Sequence, residues 1–320
     1  MLGSWNFNME FKHISVLLPE VIDSLNIKPD GIYVDGTVGG AGHSCEIAKR
    51  LTTGRLIALD RDPDAVKTAT ERLKGYPVQV VQSNFSEMDK VLQQFEISGV
   101  DGILLDLGVS SFQFDTAERG FSYHKAAELD MRMSKDGISA KDLVNTLSAK
   151  ELADVFYRYG EEKHGFRIAQ RIVREREMAP ITTTVQLAEL IANAVPAAAR
   201  RNGHPARRCF QALRIAVNSE LDSLDAALDK AFELLNPGGR LAIITFHSLE
   251  DRMVKLRFKE YAAGCTCPSD IPVCVCKKSP RGRLLTRKPI EPSENEIKQN
   301  PRSASAKLRV IIKNEEGDKL

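Results

Sequence analysis

The sequence has little of what marks membrane-spanning, secreted or strongly basic proteins. No apolar run approaches the roughly 18 residues of a membrane span, and the opening MLGSWNFNMEFKH lacks the apolar core of a signal peptide. Lys and Arg (45) nearly balance Asp and Glu (43), so the net charge of +2 neither indicates nor excludes a nucleic-acid partner. We therefore expect a cytoplasmic globular protein with no membrane partner, and 320 residues allow one large domain or two modest ones.

Cysteine is also scarce, and most of it lies in the segment CTCPSDIPVCVC. In a cytoplasmic protein such a cluster favours metal binding over disulfides. Its C-x-C spacing is tighter than the C-x2-C pairs of most zinc ribbons, so we expect reduced thiols and no metal, with zinc as the alternative. The cysteines concerned are Cys265, Cys267, Cys274 and Cys276.

The N-terminal third alternates between apolar segments and helix-like segments. Near-continuous apolar strands separated by such helices are typical of a parallel sheet covered on both faces. The sequence therefore predicts an α/β protein. Predicted strands cover 32–36, 55–60, 78–82 and 101–108, and predicted helices cover 43–51, 63–74 and 86–95.

This alternation stops after Gly108, and no strong strand pattern appears in 112–204. Two capping boxes, Ser148 with Glu151 and Thr183 with Gln186, predict helices in this stretch. The sheet pattern then resumes with a long helix over 210–235, a strand over 241–246, a helix over 248–261 and a late strand over 306–313. We therefore expect a first sheet part at 1–111, a mostly helical insertion at 112–205, and a second sheet part at 206–320 with the cysteine loop and late strand.

The segment IYVDGTVGGAGHS predicts a strand followed by a glycine-rich turn that cradles a ligand. Gly42-His43-Ser44 lacks the lysine of the Walker pattern, which disfavours nucleoside triphosphates. A strict G-x-G-x-x-G also fails, because Cys45 stands where the last glycine should be. That weakens the case for a nicotinamide dinucleotide without excluding it. Gly40 is part of the same turn.

Acids at strand ends distinguish the remaining ligands. Asp35, Asp60 and Asp106 end the first, second and fourth predicted strands, and Phe85 follows the third, where it could lie against adenine. Carboxylates surround a sulfonium better than an anionic pyrophosphate, so electrostatics favours S-adenosylmethionine. Each residue has an ordinary alternative, because such an Asp often caps the next helix and a Phe is often core.

Several motifs then occur in a characteristic order: DGTVGGAGHS, ALDRDPDA, GILLDLGVSSFQFDTAERGFSY, LDMRM, FQALRIAVNSEL, PGGRLAIITFHSLEDR and NPRSASAKLR. Through these motifs the chain resembles the bacterial 16S ribosomal RNA (cytosine-N4)-methyltransferase family from about residue 13 to 309. The resemblance implies a class I (Rossmann-like) methyltransferase fold with a helical insertion. It also implies methyl transfer to N4 of a cytidine in the decoding centre (P site) of 16S rRNA within the small ribosomal subunit.

The resemblance carries the family's cofactor contacts to particular positions of this chain. It is the only basis for including Gln113. The positions are Ala41, Gly42, His43, Asp60, Phe85, Asp106 and Gln113.

On the substrate side, Asp106 is the expected acceptor for the cytosine amine. The chain has DLGV where many amino-methyltransferases carry a stacking aromatic after the acid, so Phe112, Phe114, Phe121 or Tyr123 could stack on the base instead. Asp130 and Arg132 of LDMRM are expected either to contact the substrate or, preferably, to fix the insertion to the sheet. Further candidates for substrate contact are Ser110, Ser111, Arg207, His247 and Ser248.

Three basic clusters, at 167–176, 200–208 and 277–288, are consistent with a polyanionic partner. Phosphate contacts of this kind supply affinity with little sequence information. An NAD-dependent oxidoreductase and a noncatalytic RNA-binding assembly factor are the alternative functions. The sequence leaves the oligomeric state open, with a homodimer among the options.

Overall fold

The structure is a computed structural model that describes residues 15–197, 203–264, 276 and 279–315. For Ser111 and Phe112 it describes the helix and not the side chains. His13 and three of the clustered cysteines (Cys265, Cys267 and Cys274) lie outside the described residues, so the zinc alternative stays untested.

A seven-stranded sheet forms the larger part of the fold. Its order is β3-β2-β1-β4-β5-β7-β6, with β1 to β5 parallel and β6 and β7 antiparallel additions at one edge. This confirms the predicted α/β class and the predicted late strand. The strands are β1 (Ile32–Asp35), β2 (Arg55–Asp60), β3 (Val78–Gln82), β4 (Val100–Asp106), β5 (Leu235–Thr245), β6 (Gly282–Leu284) and β7 (Lys307–Lys313).

Thirteen α-helices lie in the described part of the chain, and none of them is long and apolar enough to cross a bilayer. They are α1 (Leu18–Leu25), α2 (Gly42–Ala48), α3 (Pro63–Arg72), α4 (Met88–Gln94), α5 (Ser111–Asp115), α6 (Ala140–Thr146), α7 (Ala149–Gly160), α8 (Gly165–Arg176), α9 (Thr184–Ala194), α10 (Ala206–Asn218), α11 (Glu220–Leu234), α12 (Ser248–Tyr261) and α13 (Glu294–Gln299).

Both faces of the sheet are covered, as the apolar strands predict. Along β4, Ile103 and Leu105 pack in a cluster with α4, α11 and α12, while Leu104 packs in a second cluster with α1 and α2. The alternation follows from the two-residue period of a strand. Helices on both faces leave the ends of the strands as the accessible edge, which is where ligands of such sheets bind.

The helical segment between β4 and β5 has its own apolar core. Both predicted capping boxes form, at the starts of α7 and α9. The core includes Phe156, Ile168, Leu187 and Leu213. Leu213 lies on α10, which packs on α7, although the sequence analysis assigned residues from 206 onward to the sheet part.

One predicted element is wrong. The single helix over 210–235 is broken at Ser219, whose φ of 48° ends α10 and begins α11 in the left-handed region. Asn218 explains the break, because its side chain bonds Met131 O and Met133 N, both at 2.8 Å. The chain therefore turns from the helical core toward the sheet at this point. The next strand also begins earlier than predicted, at Leu235.

Candidate active site

A cavity lies at the carboxyl ends of β1, β2 and β4, where the sheet order reverses direction. Gly36, Gly39, Gly40 and Gly42 of the glycine-rich turn form one wall. A Cβ at Gly36 would meet the side chain of Leu105, and one at Gly42 would meet that of Ser15, so a larger residue at either position would force its neighbour to shift. The turn therefore brings bare backbone to the cavity, as the sequence predicts.

Asp35 does not line this cavity. It is 1% exposed, accepts a hydrogen bond from the N–H of Thr37 (3.1 Å) and one from Oγ of Ser44 (2.6 Å), and so fixes the turn from behind. Burial raises its pKa to about 6. Ala41 is likewise buried and left-handed (φ 62°), so only its backbone shapes the turn. These two predicted contacts thus act on the shape of the loop.

Asp60 lines the cavity at the end of β2. One of its oxygens accepts the N–H of Gly39 (2.9 Å) and the other accepts the N–H of Asp62 (2.9 Å). Burial raises the pKa of Asp60 to about 6. Phe85 and its neighbour Asn84 complete this side of the cavity, which places an acid and an aromatic ring together, as an adenosine site requires.

Asp106 lies at the end of β4, with its backbone N–H donating to Oγ1 of Thr37 at 2.6 Å. Its Oδ1 is buried and has no hydrogen-bond partner in the described structure. Its Oδ2 lies 3.6 Å from Nδ1 of His43, and a quarter (25%) of the side chain remains exposed. Burial, followed by the charges of Asp35 and Glu250, raises the pKa of Asp106 to about 8.

Gln113 and Ser110 reach the cavity from α5 and the loop before it. Nε2 of Gln113 donates to Asp62 (2.7 Å), while its Oε1 accepts the N–H of Ser110 (3.0 Å). Asp62 is 1% exposed and also pairs with Arg119 at 2.9 Å. This network ties the segment after β4 to the start of α3, so it fixes one side of the cavity.

The cavity also contains residues that sequence analysis missed. Glu220 and Glu250 both line it, and Glu250 caps α12 together with His247. Atoms of Glu220, His247 and Glu250 lie within 4.8 Å of one another, a spacing that could hold a cation. Arg214, however, binds both oxygens of Glu220 (2.8 and 2.9 Å), so this cluster is better described as an ion-pair network.

Phe246 is the most informative of the missed residues. It lines the cavity at the end of β5, and its ring lies 3.6 Å from the position that a Cβ of Gly108 would occupy. Gly108 has φ 98° and comes two residues after Asp106. The acid and an aromatic ring therefore line the same cavity.

Known proteins that are similar to this chain show its family. The model of the MraW methylase family matches residues 10–314, nearly the whole chain. The chain belongs to this family. A protein named ribosomal RNA small subunit methyltransferase H from Lachnospira eligens is 56% identical over 310 residues, which cover 95% of this chain and 98% of that protein. One of the same name from Clostridium botulinum strain Loch Maree is 55% identical over 308 residues, covering 95% and 100%.

Membership of the MraW family confirms the resemblance derived from the motifs. It does not assign individual residues, and several predicted substrate contacts lie away from the cavity. Arg132 pairs with Asp130 (2.7 Å). Arg207 is exposed at the start of α10. The hydroxyl of Ser248 donates to Glu161 (2.8 Å).

The proposed stacking aromatics are also elsewhere in this MraW-family protein. Phe121 is buried in the helical core. Tyr123 stacks on His204, with 4.9 Å between ring centroids. Phe114 lies under the guanidinium of Arg302, 5.2 Å from its ring centroid. None of these three lines the cavity, whereas Phe246 does.

Proposed function

We propose that this protein is an S-adenosylmethionine-dependent methyltransferase that methylates N4 of a cytidine in the decoding centre (P site) of 16S rRNA, within the small ribosomal subunit. The observation that carries this proposal is Asp106, an acid with one buried, unpartnered oxygen beside a glycine-walled cavity. The names of relatives at 56% and 55% identity supply the substrate class. As a member of a methylase family, the chain is an enzyme.

The residues present fit this cofactor. The glycine-rich turn exposes backbone where a Cβ would collide, Asp60 offers a carboxylate beside Phe85, and Asp106 has an orphaned buried oxygen. Acids with raised pKa at the ends of β2 and β4 favour a ligand that carries positive charge. When bound, S-adenosylmethionine supplies an electrophilic methyl group on its sulfonium. Gly40, Gly42, His43 and Gln113 would complete its binding site.

Asp106 performs the central chemical task in this proposal. The lone pair of cytosine N4 is delocalised into the ring, which makes the amine a poor nucleophile. A carboxylate that accepts a hydrogen bond from the amine localises that lone pair and receives the proton that the product must lose. Holding the amine in line with the methyl group contributes further, up to roughly 7–11 kcal/mol in favourable cases.

Phe246 supplies the aromatic face that the DLGV segment lacks. Its ring borders the cavity near Gly108, where the absence of a Cβ leaves room for a flat base. Stacking of a base on an aromatic ring contributes about 1–3 kcal/mol. Phe246 would therefore hold the cytosine while Asp106 engages its amine.

The helical part would bind ribosomal RNA through contacts between its basic residues and the RNA phosphates. A target buried in folded RNA makes the assembled small subunit the better substrate than free RNA. The cytoplasmic location and the homodimer remain predictions, and light scattering of the purified protein tests the latter.

The decisive experiment supplies S-adenosylmethionine and small subunits that lack the modification, and identifies the methylated nucleoside by mass spectrometry. We expect N4-methylcytidine from the wild type and a loss of roughly 10²–10⁴-fold in Asp106→Ala. Asp225→Ala is the matched control, because that carboxylate is exposed on α11 and pairs with Arg257. A different methylated nucleoside would refute the substrate, and near-normal turnover in Asp106→Ala would remove Asp106 from the mechanism.

A further inference from the structure

Glu250 bonds the backbone at the junction between β5 and α12. The residue is 2% exposed and borders the cavity. Its Oε2 accepts the N–H of Phe246 at 2.9 Å and that of His247 at 3.3 Å. Pairing of β5 with β7 extends only to Thr245, so these two donors follow the last paired residue. Buried backbone donors require acceptors, and Glu250 supplies one for both.

The bond to Phe246 lies outside the usual capping arrangement. In a capping box the acid of the first helical turn accepts the N–H of the N-cap residue, which in α12 is His247. Glu250 makes this bond and, in addition, bonds the residue before the N-cap. The additional bond is the shorter of the two. The acid therefore holds most closely the residue that carries the aromatic ring of the cavity.

The ring of Phe246 depends on the backbone at this junction. One side of the ring packs with the cluster that contains Ile244 and Leu308, and the residue also lines the cavity. Since the strand ladder stops at Thr245, the bond from Glu250 fixes the backbone from which the ring projects. A shift of that backbone would move the ring relative to Asp106, which lines the same cavity.

We propose that Glu250 is a positioning residue for the target base: through the N–H of Phe246 it holds the ring on which the cytosine stacks. Glu250 itself neither contacts the cytosine nor exchanges a proton with it. This inference rests on the proposed function and assigns to Glu250 a task separate from that of Asp106.

Gln186 shows that a neutral amide oxygen makes the same pair of bonds. At the start of α9 its Oε1 accepts the N–H groups of Thr182 and Thr183, both at 3.0 Å. Glu250→Gln should therefore keep both bonds, whereas Glu250→Ala loses them. After burial and Asp35, the charge of Glu250 also raises the pKa of Asp106. Because both variants remove that charge, the difference between them measures the hydrogen bonds.

Single-turnover methyl transfer to small subunits that lack the modification tests this inference. Glu250→Ala should transfer about 10-fold more slowly than Glu250→Gln, the loss expected when a base is no longer stacked. The two variants should bind S-adenosylmethionine equally. Adding Phe246→Leu should slow Glu250→Gln by about 10-fold but should not slow Glu250→Ala further, since residues that act as one unit are not additive.

Gln186→Ala is the matched control. It removes the same pair of backbone bonds at a helix start, but Gln186 does not line the cavity. Its transfer rate should equal that of the wild type. If Glu250→Ala does not fold, Glu250→Asp takes its place and is compared with the wild type, because it keeps the charge and withdraws the acceptor by one methylene group.

Equal transfer rates in Glu250→Ala and Glu250→Gln would overturn the inference while leaving the proposed function intact. A full further loss on adding Phe246→Leu to Glu250→Ala would also overturn it, because Glu250 would then act independently of the ring. Absence of transfer by the wild type would refute the proposed function itself. The failures are therefore distinguishable in one set of rate measurements.

Discussion

At the scale of single residues, burial shifts the pKa of the acids in and behind the cavity more than any direct bond does. Asp35 and Asp60 have their pKa raised to about 6, and Asp106 to about 8, with desolvation as the first cause in each case. An acid that folding makes harder to ionise destabilises the ligand-free protein at neutral pH. For the same reason the cavity favours a cationic ligand, which stabilises the ionised carboxylates.

The stability of the ligand-free protein should therefore depend on pH through Asp106. Its folded-state pKa lies above the unfolded value, so its contribution is complete below about pH 4 and is lost as pH rises through about 8. Between those limits the free energy of unfolding should fall by roughly 1 kcal/mol per pH unit from this group. Urea denaturation at several pH values should show a shallower decline in Asp106→Asn; parallel curves would contradict the expectation.

Phe246 gives a second prediction at this scale. Phe246→Leu keeps an apolar side chain but removes the ring, so methyl transfer should fall by about 10-fold or more while the affinity for S-adenosylmethionine changes little. Single-turnover rates with small subunits and a cofactor titration measure the two effects separately. Phe95→Leu is the matched control, because that ring packs on the core at the end of α4 and does not line the cavity. Equal losses in both variants would argue against stacking by Phe246.

At the scale of elements, Arg119 holds the segment after β4 against the start of α3. It pairs with Asp62 and also donates to the backbone oxygens of Arg132 and Met133, both at 2.9 Å. Gln113 bonds the same oxygen of Asp62 that Arg119 contacts. The cavity wall formed by α5 thus depends on a buried ion pair.

Arg119→Met should leave the buried carboxylate of Asp62 without its cation, which costs about 3–5 kcal/mol of stability. It should also weaken cofactor binding, because Asp62 would lose the cation that fixes it and would hold Gln113 less firmly. Denaturant unfolding and cofactor titration measure these effects. Arg171→Met is the control, because its exposed pair with Glu175 on α8 should contribute less than about 1 kcal/mol. Similar losses in the two variants would refute the special role of Arg119.

The strands were predictable from sequence because apolar residues that are buried on both faces form compact runs; β2 covers the predicted 55–60. The helix break at Ser219 was not predictable from sequence, because the helical period of apolar residues continues through it. The contacts of Asn218 that set the break reach residues at least 85 positions away. The three-residue β6 is too short to leave a pattern.

The residues of the candidate site also divide into those that the sequence predicts and those that it does not. The sequence predicts Asp60, Phe85 and Asp106 at one edge of the sheet because the ends of parallel strands meet there, and all three line the cavity. At the end of β5 the prediction chose His247 and Ser248, yet Phe246 lines the cavity. Which of three successive residues faces a cavity depends on where the strand ends, and this is fixed by pairing with β7 up to Thr245. Local sequence does not contain that information.

At the scale of the whole molecule, the helical part is joined to the sheet part close to the cavity. Glu161 at the end of α7 accepts from Ser248 on α12 (2.8 Å), and Asn218 at the end of α10 holds the segment that contains Met133, a cavity residue. A substrate held by the helical part would therefore lie beside the carboxyl ends of the strands. Exposed basic residues on α8 and at the start of α10 offer the corresponding phosphate contacts.

Binding to small subunits should consequently weaken steeply with salt, and the start of α10 should account for part of that slope. Arg207→Ala with Arg208→Ala removes two exposed charges, and each lost phosphate contact should reduce the logarithmic slope by about 0.7–0.9. Lys49→Ala with Arg50→Ala removes the same charge just after α2, where both side chains pair with Glu46. Affinity measured over a series of salt concentrations distinguishes the two double variants, since only contacts with phosphate release counterions. If both double variants gave the wild-type slope, the RNA surface would lie elsewhere; if both flattened it equally, general charge rather than the start of α10 would govern binding.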